Sequence, residues 1–264
     1  MHIHFLDPYR PVDSPVHRLD ARVKLILALG SILTLAAMPT GRWPAYILCL
    51  ALTLSAAILS GLGAGFAAKR ATLALPFILA AAPLLVTTPG APLLSARLGP
   101  WTATLTAQGL ARFLSMALKS WLSVQVAILL AATTEFPALL TAMRAIRIPR
   151  LLVAIVGLMW RYLFVLADEA LRMLRAREAR SATREGKGGG SIIWRARVTG
   201  NMAGSLFLRG YERSQRIYDA MLARGYDGEI RSFPLAPLRG SEWLTLGVGL
   251  AMLAGLTVFA FLSL

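Results

Sequence analysis

Arginines are the residues of this chain best suited to chemistry, and they recur with helical spacing between Asp168 and Arg231. At 100° per residue, one set falls within an arc of about 80°: Arg209, Arg213, Arg216 and Arg224. A second set falls within about 60°: Arg177, Arg180 and Arg184. A guanidinium stays charged when it loses water, and it forms bidentate pairs with carboxylates. The spacing therefore predicts either a solvated or lipid-facing basic surface, or a docking surface for an acidic partner.

Other residue combinations that could do chemistry are sparse. The chain has no G-x-x-x-x-G-K-[ST] motif, so we do not expect it to hydrolyse ATP. An enzyme acting on lipid or isoprenoid phosphates is the alternative function, but such enzymes need clustered carboxylates for Mg²⁺. The close acidic pairs, Asp168-Glu169 and Asp227-x-Glu229, are not such a cluster. His2 and His4 could bind a metal, but two histidines near a terminus are more often ordinary polar residues. We therefore predict no catalytic residue, no metal site and no cofactor bound by this chain.

The composition predicts an all-α integral membrane protein. Of the 264 residues 56% are hydrophobic, and the mean hydropathy is +0.62. The apolar residues are concentrated in runs that approach the roughly 20 residues a helix needs to cross a bilayer. The net charge of +15 first suggests nucleic acid. In a membrane protein, basic cytoplasmic segments beside anionic membrane lipids explain it more simply, so no nucleic-acid partner is expected.

We predict about five transmembrane helices. Their apolar runs are Leu25–Met38, Pro44–Leu62, Thr72–Thr88, Phe113–Thr133 and Trp243–Leu264. Pro76 and Pro83 should kink the third span, because each removes a helical hydrogen bond. Lys119 lies inside the fourth span, and its simplest role is to extend its ammonium group to the lipid headgroups.

The distribution of basic residues predicts the topology. Residues 134–242 hold eighteen of the 28 Lys and Arg residues, and cytoplasmic loops are enriched in both. We place this segment and the N-terminus, which lacks a signal-peptide pattern, in the cytoplasm of a bacterial inner-membrane protein. The apolar run 151–167 should then not cross, since Arg161 would otherwise sit in the membrane at a cost of roughly 2.5–3.5 kcal/mol. Six spans is the competing count. Arg161 could instead pair with Asp168 or contact another subunit.

Three domains follow from this topology. They are an N-terminal membrane domain (1–133), a cytoplasmic domain of long helices (134–242) and a final transmembrane helix (243–264). Within the cytoplasmic domain, helices are predicted from Phe136 to Ile146, from Arg150 to about Arg184, and from Ile192 to about Arg224. The glycine cluster Gly186–Gly190 separates the two long helices. Gly225 is suited to cap the last one.

Two tripeptides at the ends of the long helices carry a family resemblance. Ala179-Arg180-Ser181 and Ala223-Arg224-Gly225 resemble the paired Ala-Arg-Ser/Gly motifs of the transmembrane coupling (T) subunits of energy-coupling factor transporters. The sequence around these motifs is similar to that of the cobalt-type T subunit, the CbiQ family, and the similarity covers nearly the whole chain. The segments that carry it are Arg18–Leu25, Trp160–Tyr162, Asp168–Ala170 and Tyr218–Gly228.

The resemblance implies a subunit of an importer that works with two cytoplasmic ABC-type ATPases and a separate substrate-binding (S-type) membrane subunit. The partners would hydrolyse ATP. Arg180 and Arg224 would each enter a groove on one ATPase, and small neighbours would let each helix end approach: Ala179, Ser181, Ala223 and Gly225. Arg177, Arg184, Arg213 and Arg216 would support this basic face. Cobalt is the expected solute, with nickel and vitamins left open. An autonomous channel or carrier is disfavoured, because its spans should contain several ionisable residues and these contain almost none.

Overall fold

The computed structural model describes residues 8–98, 101–180, 191–228 and 237–262, with the backbone alone for 92–98 and 101–105. In chain order, the helices of the first half are α1 (Pro15–Arg18), α2 (Ala21–Ala37), α3 (Trp43–Leu59), α4 (Ala64–Ala71), α5 (Leu75–Leu79) and α6 (Leu84–Thr87). The helices of the second half are α7 (Ala107–Thr133), α8 (Phe136–Ala145), α9 (Arg150–Arg180), α10 (Ile192–Ala223) and α11 (Gly240–Leu262). The prediction of a helical membrane protein is confirmed.

One antiparallel hairpin interrupts the helices. Strands β1 (Pro92–Leu98) and β2 (Trp101–Thr106) pair with Leu98 opposite Trp101 and Ala96 opposite Ala103. The predicted elements are all helices, and this hairpin is a local addition to a fold that is otherwise helical. The alternation Trp-Thr-Ala-Thr-Leu-Thr in β2 has the period of two and the β-branched residues that favour a strand.

Candidate membrane spans are fewer among the described helices than the five predicted. Three are long and apolar enough to cross a bilayer, namely α7, α9 and α11, and a bent pair formed by α3 and Ala64–Leu79 makes a possible fourth. Helix α2 has 17 residues and would extend about 26 Å at 1.5 Å per residue, the lower limit for a span. Because α9 also has the length and composition of a span, the prediction that 151–167 does not cross rests on charge and stays a prediction.

The predicted third span, Thr72–Thr88, is not one kinked helix. A 3₁₀ turn at Thr72–Ala74 precedes α5, and a break precedes α6. Pro76 stands in the first turn of α5, and Pro83 is the residue before α6. Proline is tolerated at such starts because the missing N–H would be unpaired there anyway. The two prolines therefore begin new short helices instead of bending a continuous one.

Residues 8–142 and 235–264 form one compact unit, and residues 143–234 form another. In the first unit α7 packs against α2, α3, α4 and α6. Its buried residues repeat at helical spacing: Ser115, Leu122, Gln125, Val126, Leu129, Ala132 and Thr133. Helix α11 packs on α2 so closely that a Cβ on Gly249 would lie 2.5 Å from Leu27 Cδ2. Small residues of this kind let membrane helices approach.

Two lysine side chains join the two ends of α2 to α7. Lys24 Nζ donates to the Thr133 carbonyl at the C-terminus of α7, at 2.7 Å. Lys119 Nζ donates to the Met38 carbonyl at the C-terminus of α2. Both ammonium groups therefore satisfy carbonyls that have no helical partner and lie at the negative ends of helix dipoles. The simplest role predicted for Lys119 was to reach the headgroups; in the structure its ammonium group caps the neighbouring helix.

Replacing Lys119 tests this cap. Lys119→Met keeps the length of the side chain but leaves the Met38 carbonyl without its donor, which should destabilise the protein by about 1–3 kcal/mol. The measurement is the thermal unfolding midpoint of the purified protein in detergent. Lys69→Met is the control, since Lys69 is exposed at the end of α4. An unchanged or higher midpoint for Lys119→Met would contradict the assignment.

Candidate functional site

The first arginine motif lies at the end of α9. Ala179 and Arg180 are its last two residues, and both are exposed. Arg180 makes no ion pair with any described residue, so its guanidinium is available to another molecule. Arg177 lies one turn earlier and is half-buried. Ser181 and Arg184, which complete the predicted motif and its basic face, lie outside the described residues.

The second motif ends α10 in a hydrogen-bonded C-terminal cap. Ala223 is the last residue of α10, and Arg224 is its C-cap. The Tyr226 N–H donates to the Met221 carbonyl at 3.0 Å, and the Gly225 N–H donates to the Leu222 carbonyl at 2.9 Å. Gly225 has φ +81°, the left-handed conformation that this Schellman motif requires. The predicted glycine cap is therefore confirmed, and it holds Arg224, which is exposed, at a fixed point.

The supporting arginines on α10 differ in exposure. Arg216 is exposed, whereas Arg213 is half-buried and lines a groove between α9 and α10. Neither forms an ion pair within the described part of the chain. Arg180 in the last turn of α9, and Arg213, Arg216 and the C-cap Arg224 of α10, thus form no ion pair with a carboxylate of the described residues.

An ion-pair triad joins the two long helices. Glu169 Oε1 accepts from Arg209 Nη1 at 2.7 Å, and Glu169 Oε2 accepts from Arg172 Nη2 at 2.7 Å. We call these three residues the Glu169 clasp. The Glu169 side chain is 16% exposed, whereas each arginine is 61% exposed. The hydrogen bond from Arg209, followed by the charge of Arg172, lowers the pKa of Glu169. This carboxylate therefore stays ionised and bridges α9 to α10.

Sequence analysis missed the Glu169 clasp. Arg209 was predicted only as part of a basic arc, and a pair between Arg161 and Asp168 was one of the possibilities left open for Arg161. In the described residues neither Arg161 nor Asp168 forms an ion pair, and the next residue, Glu169, is the one that pairs. The i,i+3 spacing of Glu169 and Arg172 was a usable signal. The pairing with Arg209, forty residues further along the chain, was not visible without the fold.

The clasp lies away from both motifs. At 1.5 Å per residue, Arg180 lies about 16 Å along α9 from Glu169, and Arg224 lies about 22 Å along α10 from Arg209. The two motif arginines are therefore at the C-terminal ends of helices that are joined at an internal point. Arg180 and Arg224 belong to different helix ends.

A large apolar groove runs beside the clasp, with a volume of about 1110 Å³. Its walls include Met159, Leu163 and Leu166 of α9, with Phe207 and Tyr218 of α10. Met159 is 65% exposed and Phe207 is 70% exposed. Apolar side chains this exposed over such an area are typical of a surface covered by another protein or by lipid.

Within residues 8–98, 101–180, 191–228 and 237–262, no three His, Cys, Asp or Glu side chains are grouped as metal ligands would be. His2 and His4 lie outside those ranges. His17 is occupied by hydrogen bonds, with Ser14 Oγ at 2.7 Å from Nδ1 and the Arg10 carbonyl at 3.0 Å from Nε2.

Comparison with known proteins gives matches along most of the chain. Residues 13–234 match the family CbiQ, described as cobalt transport protein. The chain is 31% identical to the cobalt transport protein CbiQ of Rhodobacter capsulatus over 176 residues, which is 66% of this chain and 68% of that protein. It is 27% identical to the energy-coupling factor transporter transmembrane protein EcfT of Thermanaerovibrio acidaminovorans over 263 residues, 95% and 94% of the two chains. A match to an uncharacterized protein of Methanocaldococcus jannaschii, 29% identical, spans only 42% of that relative's length.

The pKa of Glu169 makes the clasp sensitive to acid. Because the folded protein lowers this pKa below its unfolded value, the clasp stabilises the α9–α10 contact at pH values above the unfolded pKa. That contribution is lost as pH falls through the lowered folded value. Glu169→Gln should mimic the acid state at neutral pH. Spin labels at Leu174 and Ser205 should then report a broader distance distribution by pulsed EPR.

Arg216→Gln is the matched control for that measurement, because it removes a charge from α10 without touching the clasp. If Glu169→Gln left the distance distribution as narrow as this control does, the clasp would not hold the two helices together.

Proposed function

The chain belongs to the CbiQ family of cobalt transport proteins, and we propose that it is the membrane subunit that couples two ABC-type ATPases to a separate substrate-binding membrane subunit. The observation that carries this proposal is the position of Arg180 and Arg224. Each lies exposed at the end of a long helix, within an Ala-Arg motif, and neither is neutralised by a described carboxylate. As a member of this family with several apolar helices, the chain is a multi-pass membrane component of a transporter.

The geometry supports a mechanical role for the two long helices. The Glu169 clasp ties α9 to α10 by two charge-assisted hydrogen bonds of 2.7 Å. A displacement of one helix end by an ATPase is therefore transmitted to the other helix as a rigid-body movement. The chain's own residues would bind, hold and transmit, while the partner ATPases hydrolyse ATP.

The partner ATPases would recognise Arg180 and Arg224, the two anchor residues, in the same way. A helix end with small residues on either side of one arginine can enter a narrow groove, and a guanidinium there pairs bidentately with a carboxylate. At the second motif, Gly225 contributes the tight turn that ends the helix just after Arg224. Ala179 gives the first motif the same narrow profile.

The apolar groove between α9 and α10 suits the substrate-binding subunit. A membrane-embedded partner has an apolar surface, and the exposed Met159 and Phe207 side chains supply the matching one. Methionine adapts to several packing arrangements, which favours a contact that must change during a transport cycle. Cobalt is the proposed solute, in line with the description of the family.

The proposed orientation places the N-terminus and residues 134–242 in the cytoplasm, as the charge distribution requires. An enzyme acting on lipid or isoprenoid phosphates is not favoured by any described feature. Asp168 and Glu169 are the closest acidic pair in the described part of the long helices, and Glu169 is already occupied by Arg172 and Arg209.

Removing both anchors tests the coupling role. Arg180→Ala with Arg224→Ala should release the ATPases from the purified complex and abolish cobalt uptake. Loss of one partner of a buried charge pair costs roughly 2–5 kcal/mol per site. The measurements are co-purification of the ATPases and uptake of radioactive cobalt, with nickel as competitor.

Arg197→Ala with Arg239→Ala is the control, because it removes the same charge from exposed positions outside the motifs. A doubly substituted Arg180 and Arg224 protein that kept both ATPases and transported cobalt normally would overturn the proposal.

Accessibility labelling tests the orientation. With Cys49 replaced by serine, a cysteine introduced at Ser205 should resist a membrane-impermeant maleimide in intact cells and react with it in inverted membrane vesicles. Ser205 is exposed on α10, so burial would not prevent its reaction. Labelling of this position from outside intact cells would place α10 on the wrong side of the membrane for ATPase coupling.

A further inference from the structure

Two arginines converge on one phenylalanine at the edge of the membrane unit. The guanidinium carbon of Arg10 lies 4.7 Å from the centroid of the Phe66 ring, and that of Arg70 lies 4.2 Å from it. Both arginines are exposed, and the ring between them is half-buried. Neither arginine forms an ion pair with a carboxylate of the described residues. Two like charges are thus held within the span of one lipid headgroup.

The backbone holds Arg10 in place. Its N–H donates to the Ala132 carbonyl near the end of α7 at 3.0 Å, and its carbonyl lies 3.0 Å from His17 Nε2. Val12 packs on the turn after α3, where a Cβ on Gly61 would lie 2.9 Å from Val12 Cγ1. The segment before α2 is therefore fixed against α7 and the α3–α4 turn, so the position of Arg10 is set before any ligand arrives.

Helix α4 supplies the other half of the site. Its sequence, Ala-Gly-Phe-Ala-Ala-Lys-Arg-Ala, buries Ala67 and Ala71 and carries Lys69 and Arg70 in its last turn. It has the composition of a short helix at a membrane surface, with one face packed on the bundle and basic residues on the other. The end of α7 at Thr133, beside Arg10, adjoins the segment that the charge distribution assigns to the cytoplasm.

The energetics favour an anion here. Two cations held close together repel each other, and attraction to the face of the Phe66 ring offsets only part of that repulsion. A phosphate accepts hydrogen bonds from two guanidiniums at once and neutralises them. The cytoplasmic leaflet supplies anionic phospholipids at this depth, and each basic residue near its surface contributes about 1 kcal/mol of attraction.

We propose that Arg10, Phe66 and Arg70 form a binding site for the phosphate of an anionic phospholipid of the cytoplasmic leaflet. The two guanidiniums bind the phosphate diester, and the ring keeps them oriented toward it. The site anchors the cytoplasmic end of the bundle to the leaflet. It depends on the membrane location of this unit and not on the coupling role of Arg180 and Arg224.

The test compares lipids within each variant. The protein is reconstituted in nanodiscs of phosphatidylcholine alone or with phosphatidylglycerol, and thermal unfolding is measured in both. The wild-type midpoint should rise by several degrees with phosphatidylglycerol, and Arg10→Gln with Arg70→Gln should lose more than half of that rise. Phe66→Leu should lose part of it, and native mass spectrometry should count fewer retained phosphatidylglycerol molecules in the double variant.

Arg197→Gln with Arg239→Gln is the matched control, since it removes two exposed positive charges elsewhere and should keep the full rise. Should the double Arg10 and Arg70 variant fail to fold, Arg70→Gln alone gives the same comparison. An equal rise in wild type and variant would overturn the site. An equal rise on adding inorganic phosphate to phosphatidylcholine discs would overturn the lipid as its ligand.

Discussion

The membrane unit depends on how the C-terminal carbonyls of its helices are satisfied. The last carbonyls of a helix have no partner within it, and an unpaired carbonyl shielded from water costs free energy, so a donor from a neighbouring helix stabilises them. Lys24 of α2 reaches the end of α7, and Lys119 of α7 reaches the end of α2. The two contacts fix both ends of α2 against α7, and α7 in turn packs against most of the other helices of the unit. A charged residue inside a span, costly by itself, is placed where a helix dipole stabilises it.

The long helices follow a different principle, because charge pairs instead of apolar burial join them. Helix α10 has no buried residue in the described structure, and α9 has only Val153 and Ala154. The Glu169 clasp is therefore a main contact between α9 and α10, and the apolar groove beside it is open. An arrangement with few buried contacts and one strong polar junction can bend elsewhere and keep its crossing point. Such a junction is consistent with the coupling role that we propose for the two helices.

Much of this architecture was predictable from sequence, for identifiable reasons. The helix from Ile192 to Ala223 and its Gly225 cap follow from local signals, a serine before the helix and a glycine after it. The fate of Lys119 was not predictable, because its acceptor belongs to a residue 81 positions away. The prediction of one kinked helix for the third span was wrong because proline disrupts a helix interior but is tolerated at a helix start. The sequence does not show which of these applies to Pro76 and Pro83. Arg209 likewise looked like part of a surface until its contact with Glu169 was visible.

Packing of Gly249 against Leu27 has a consequence for how the protein is made. Helix α11 leaves the ribosome roughly two hundred residues after α2, a delay on the order of 10–40 s at 5–20 residues per second. Throughout that interval Leu27 and the face of α2 around it lack the helix that packs on them, and that face of the nascent bundle stays exposed to lipid. The intervening basic segment is an insertion into a discontinuous domain. Helix α11 must therefore be synthesised before the membrane portion can reach its final packing, so chains truncated before α11 would expose the face of α2 that α11 normally covers.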